Sequence, residues 1–111
     1  MSARIRLYEY QSEEIKITIE LFFDEHQNLI IDGYDRGSRV KEYWGDSDYE
    51  YSATVKSTDV HKIFTMLNIF QGDQLALLAK LEGMFHSNTC YSEFRNWLTE
   101  QEIAFESFSW T

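Results

Sequence analysis

Apolar residues recur at every second position through the first half of the chain. In Glu13 to Phe23, Ile15, Ile17, Ile19, Leu21 and Phe23 share one side and Lys16, Thr18 and Glu20 the other, the pattern of a strand with one buried face. The polar cluster Asp24, Glu25, His26, Gln27 and Asn28 then separates this strand from Leu29, Ile30 and Ile31, which predicts a hairpin with a loop of about five residues. Ile5 and Leu7, alternating with Arg4, Arg6 and Tyr8, predict an earlier strand. Tyr49, Tyr51, Ala53 and Val55, alternating with Glu50, Ser52, Thr54 and Lys56, predict a later one. Four consecutive strands result.

After Lys56 the period becomes helical. Ser57 or Thr58 can cap, Asp59 sits in the first turn, and Val60, Ile63, Phe64 and Leu67 form one stripe. Asn68 to Gly72 interrupts the pattern. Asp73 offers a second cap, and Leu75, Leu77, Leu78, Leu81, Met84 and Phe85 populate a second helix to about His86. A third helix carries Phe94, Trp97 and Leu98 after a break at Ser87 to Thr89, with Ser92 as its cap candidate. The tail, with Ile103, Phe105, Phe108 and Trp110, favours a closing strand built into the fold. This order predicts an α+β fold: an antiparallel or mixed sheet of about four to five strands with two to three helices packed on one face. Residues 1–111 are expected to form a single domain, since no repeat, low-complexity stretch or linker divides them.

Charge narrows the possible partners. Ten Lys+Arg against 19 Asp+Glu give a formal charge of −9, which repels polyphosphate and anionic lipid and attracts basic surfaces. Nucleic acid and membrane are therefore not expected as ligands. The segment Met1 to Tyr10 holds Arg4, Arg6 and Glu9 in place of the apolar stretch of a secretory signal. The longest apolar runs fall far short of the roughly 20 residues that cross a bilayer. The single cysteine, Cys90, cannot form an internal disulfide, and it reads as a small apolar residue near a helix start in a cytoplasmic protein.

The most unusual stretch is Glu42 to Tyr51, with four carboxylates and no base. If extended, it places Asp46, Asp48 and Glu50 opposite Ser47, Tyr49 and Tyr51, one face anionic and the other aromatic. The carboxylates suit arginines of a basic protein surface, and Tyr43 and Trp44 supply rigid contact area. A solvated outer strand face with its aromatics turned inward fits the same pattern. Asp32-Gly33-Tyr34-Asp35-Arg36-Gly37 forms a second anionic patch, where two glycines predict a turn leading out of the third strand. It lacks the phosphate-loop pattern, and Arg36, Arg39 and Lys41 can pair with Glu42 and Asp46 nearby. The candidate partner-binding residues are thus Asp32, Tyr34, Asp35, Tyr43, Trp44, Asp46, Asp48 and Glu50.

Catalytic and cofactor signatures are absent. Asp46-x-Asp48-x-Glu50 resembles the opening of a calcium loop, but Tyr51 stands at the glycine position and Ser57 at the bidentate glutamate position. His26, His61 and His86 are scattered, without a cysteine pair to complete a zinc site. There is no nucleophile elbow and no dinucleotide or kinase fingerprint. No cofactor or metal is expected, and the chain reads as non-enzymatic.

Tyr34-Asp35-Arg36-Gly37, Trp44-Gly45-Asp46-Ser47-Asp48-Tyr49-Glu50-Tyr51, a capped helix, and Phe94-Arg95-Asn96-Trp97-Leu98 with Ile103 to Trp110 together resemble the small acidic immunity proteins of bacterial toxin systems, including contact-dependent growth inhibition. The resemblance covers residues 30–111. It implies a cytosolic protein that binds the toxic domain of a delivered effector, often a nuclease, and blocks its basic active site; it transfers no individual ligand residue. Two alternatives stay open: a homo-oligomeric structural or interaction subunit, and a small hydrolase using a carboxylate pair or a metal.

Overall fold

A computed structural model describes residues 3–38 and 48–110, the last by its backbone alone. Its element order is β1 (Arg4–Gln11), β2 (Lys16–Phe23), β3 (Leu29–Arg36), β4 (Asp48–Val55), α1 (Ser57–Met66), α2 (Gln74–Met84), α3 (Cys90–Glu100) and β5 (Glu106–Trp110). The strands form one antiparallel sheet in chain order, β1-β2-β3-β4-β5. The fold is α+β, as the patterning predicts.

Alternation decides which side of the sheet is dry. Ile19, Leu21 and Phe23 of β2, Leu29 and Ile31 of β3, and Ala53 and Val55 of β4 point to the same side and are buried. α2 packs over β1 and β2, and α3 over β3. The helices supply Val60, Ile63, Phe64, Leu77, Leu78, Leu81, Phe94 and Leu98 to one hydrophobic cluster, in which no polar or charged residue is buried among the described residues. Phe85 joins α2 to α3 through an edge-on contact with Phe94 at 5.4 Å and a tilted one with Trp97 at 5.7 Å between ring centroids.

Local chemistry shifts several boundaries. Glu13 to Ile15 do not belong to β2. The Ser12 hydroxyl accepts hydrogen bonds from the N–H groups of Glu14 and Ile15, and these residues turn the chain from β1 into β2. The Asp24–Asn28 loop has the expected length, and the Asp24 carboxylate accepts from the N–H groups of His26 and Asn28, both at 2.9 Å. Neither Ser57 nor Thr58 caps α1. Lys56 occupies the cap position without a side-chain bond, and Asn28 Oδ1, from the hairpin loop, accepts the Ser57 N–H at 2.9 Å. Asp73 caps α2 as predicted, accepting from the Ala76 N–H at 3.2 Å. That helix ends at Met84, short of His86. Leu75 and Met84, placed on its apolar stripe by spacing, are exposed, because α2 turns Leu77, Leu78 and Leu81 to the sheet. α3 begins at Cys90, ahead of Ser92, and the Ser87 hydroxyl takes up the Thr89 N–H while donating to Glu93 Oε1 at 2.7 Å.

Candidate functional site: the open face of the sheet

The side of the sheet away from the helices is not covered by any described element. Antiparallel register aligns its residues in rows. Arg6 stands opposite Glu20, Glu20 opposite Asp32, Asp32 opposite Ser52, and Ser52 opposite Phe108. The next row runs Thr18, Tyr34, Glu50, and beyond it lie Lys16, Arg36 and Asp48. Glu20, Asp32, Glu50 and Asp48 thus form an oblique carboxylate band, with basic residues at both ends and Tyr34 within it.

The band is unevenly compensated. Arg4 Nη1 meets Glu20 Oε1 at 2.7 Å, and Arg6 Nη2 meets Glu20 Oε2 at 3.3 Å. Arg6 also reaches Glu9 at 3.0 Å, and Arg4 lies over the Phe22 ring at 3.9 Å from its centroid. Both arginines are thereby tied to the β1 side. Asp32 and Glu50 enter no ion pair among the described residues. Burial raises the Asp32 carboxyl above the ordinary aspartate range, the charges of Glu50 and Glu20 push it further up, and Arg4 opposes them weakly. Burial and then Asp48 likewise push the Tyr34 hydroxyl up. Asp32 is therefore a carboxylate held among like charges on an otherwise accessible surface.

Of the residues singled out from sequence, Asp32, Tyr34, Asp48 and Glu50 share this face. Asp35 does not. The stretch Asp32–Arg36 is no turn but the second half of β3, so alternation sends Asp35 to the helix side, where its Oδ1 accepts the Tyr51 hydroxyl at 2.8 Å. Burial raises the Asp35 carboxyl, and the Tyr51 bond draws it partly back. The strand continues through Gly33 because the Tyr51 ring from β4 occupies the space beside it: a Cβ there would lie 1.9 Å from Tyr51 Cε2. Gly37, at φ +131°, provides the turn in its place, against the Glu14 carbonyl. Tyr43, Trp44 and Asp46 lie outside the described residues. Glu20, part of the band, was not singled out from sequence. Alternation already put it on the polar face of β2, but its position opposite Asp32 depends on the hairpin register.

Among the described residues, no group of three or more His, Cys, Asp or Glu side chains is arranged to hold a metal ion. No helix is long and apolar enough to cross a membrane. Compared with protein-family models, with curated proteins and with solved structures, the chain matches none of them.

Proposed function

We propose that this protein is a non-enzymatic acidic binding protein that neutralises a cationic protein partner in the cytoplasm, docking it on the open face of the sheet. The position of Asp32 carries the reading. Like charges directly opposite in a sheet cost stability, of order 0.2–1 kcal/mol per pair. Asp32 faces Glu20 across one strand junction and Glu50 on the diagonal, and it enters no ion pair among the described residues. An arriving arginine or lysine relieves that repulsion, so part of the local cost of folding returns as binding free energy. The net charge of −9 adds long-range steering, which raises association rates by roughly 10- to 1,000-fold at low salt. Exposed Phe108, in the same row as Asp32, offers apolar contact beside the charges.

In its more specific form the partner is a nuclease-type toxin domain, and the protein acts as an immunity protein. A cleft built to hold phosphates is cationic, and a carboxylate band fits it as a competitor. This form rests on the sequence resemblance together with the charge.

The test is affinity capture with the tagged full chain, washed at low and then high salt, beside the combined D32N, D48N and E50Q variant. The expected result is one basic protein domain retained at low salt and released by high salt, with association at least tenfold slower for the variant and an unchanged or higher melting temperature. Retention of that partner by the variant at the original rate would remove the carboxylate band from the interface. Recovery of the protein's own copies alone would favour a homo-oligomeric subunit.

A further inference from the structure

On the helix side of the sheet, a cleft of about 400 Å³ opens between α3 and the strands β4 and β5. That size falls in the range of small-molecule sites, roughly 300–1,000 Å³. Its walls are aromatic and hydroxylic. Tyr51 lies 5.5 Å from Tyr49 and meets Tyr91 edge-on at 4.7 Å between centroids, while Ser92, Ser107 and Ser109 line the rim.

Arg95, from the middle of α3, lines the same cleft. Its guanidinium carbon lies 5.3 Å from the centroid of Tyr91 and 5.9 Å from that of Phe105. Arg4, Arg6, Lys56 and Lys62 each meet a carboxylate. Arg95 meets none among the described residues, and its Nε is shut off from solvent without a hydrogen-bond partner. Polar groups of a protein are ordinarily satisfied, and an arginine of a cleft wall that no acceptor among the described residues engages is a place where a ligand acceptor fits. Two rings hold this cation where no carboxylate among the described residues reaches it.

We propose that the cleft binds a small monocarboxylic acid bearing a planar ring, its carboxylate on the Arg95 guanidinium and its ring among Tyr49, Tyr51 and Tyr91. The planar fork of arginine matches a carboxylate with two parallel hydrogen bonds. Aromatic walls favour a flat apolar body by edge-on and offset contacts. A singly charged ligand fits better than a phosphate ester, because each further negative charge is opposed by the field of a chain at −9. This site lies on the opposite side of the sheet from the carboxylate band and stands independently of the docking function proposed above.

The experiment is a titration of the 15N-labelled full chain with sodium benzoate, and separately with benzamide as its uncharged counterpart. Benzoate is expected to give saturable shifts centred on Tyr91, Arg95 and Ser109, including the Arg95 Nε–H signal, with benzamide at least tenfold weaker. R95Q should lower the benzoate affinity at least tenfold, to the level of benzamide, and R95K should recover part of it. Should R95Q disturb the packing around Tyr91 and Phe105, the comparison of benzoate with benzamide on the unaltered protein still decides. Three outcomes would each overturn the proposal: no saturable shift in the cleft, equal responses to the two compounds, or a benzoate shift map centred elsewhere.

Discussion

Two aspartates of β3, three residues apart, meet the sheet on opposite sides and are both held above the ordinary aspartate range, for different reasons. Asp32 is raised by burial and by Glu50 and Glu20, Asp35 by burial alone with the Tyr51 hydroxyl opposing. At these two carboxyls the folded state therefore binds more protons than the unfolded chain from about pH 3.9 upward, until both have ionised in the folded state. Through that window their contribution to stability falls as pH rises. D32N is expected to be more stable than the parent at pH 7, by up to about 1 kcal/mol, and to lose that advantage near pH 4; denaturant midpoints across the range check it. Gly33 makes a second residue-scale prediction. G33A puts a methyl group into the Tyr51 ring, which is fixed by Asp35 and Tyr91, and should cost about 1–3 kcal/mol in denaturant unfolding. Cys90 makes a third. Burial, and then Glu93, push its thiol up to about 11, so a thiol-reactive reagent at pH 8 should label it only on unfolding, at a rate that follows the denaturant curve.

At the level of elements, the ends carry more information than the middles. The helix stripes are readable because an amphipathic helix needs apolar residues three and four apart, and Val60, Ile63, Phe64, Phe94 and Leu98 are buried as that spacing requires. The caps are readable only where they are local. Asp73 is found from sequence because it bonds within its own turn, whereas the α1 cap comes from Asn28, in a loop that only tertiary contact brings there. N28A should therefore destabilise by about 1–2 kcal/mol, losing both the Ser57 N–H acceptor and the bond to Asp24, while S57A and T58A should stay within about 0.5 kcal/mol of the parent. Thermal melts of the three variants measure the contrast. Leu75 marks the limit of spacing arguments, for it lies at the start of a Leu-rich helix with more apolar residues than the sheet can cover.

For the whole molecule, strand alternation and loop composition suffice to read a sheet of consecutive hairpins with helices on one side. They do not suffice to read the candidate site. The glycines of β3 mimic a turn, because the reason Gly33 stays in a strand is a ring arriving from β4. The carboxylate band needs the register of two strand junctions, which a one-residue slip would scatter to both faces. Arg95 has no role legible in the sequence, where it stands between the stripe residues Phe94 and Trp97, because nothing in its neighbours along the chain reveals a cleft. Strand β5 also ties the ends of this architecture together: it pairs with β4 from Thr54 to Glu50, and Glu106 reaches Lys56 at 3.4 Å. Removing Glu106 onward should lower the melting temperature and promote concentration-dependent association through the bared β4 edge, visible by light scattering.

The same pairing orders events in time. β1 to β4 join through neighbours along the chain, whereas β5 meets β4 across a connection that holds α1, α2 and α3. Loop-closure entropy makes such distant pairing slow, and local hairpins form in microseconds. Until β5 arrives, one edge of the nascent sheet stands open and the cleft beside α3 lacks its serine wall. Pairing of β5 is thus expected to complete the cleft, and its release to dismantle it. An occupant touching α3 and β5 together would act as a clasp on that step, and the amide exchange rates of Ser107 to Ser109 would report its arrival without any change elsewhere in the sheet.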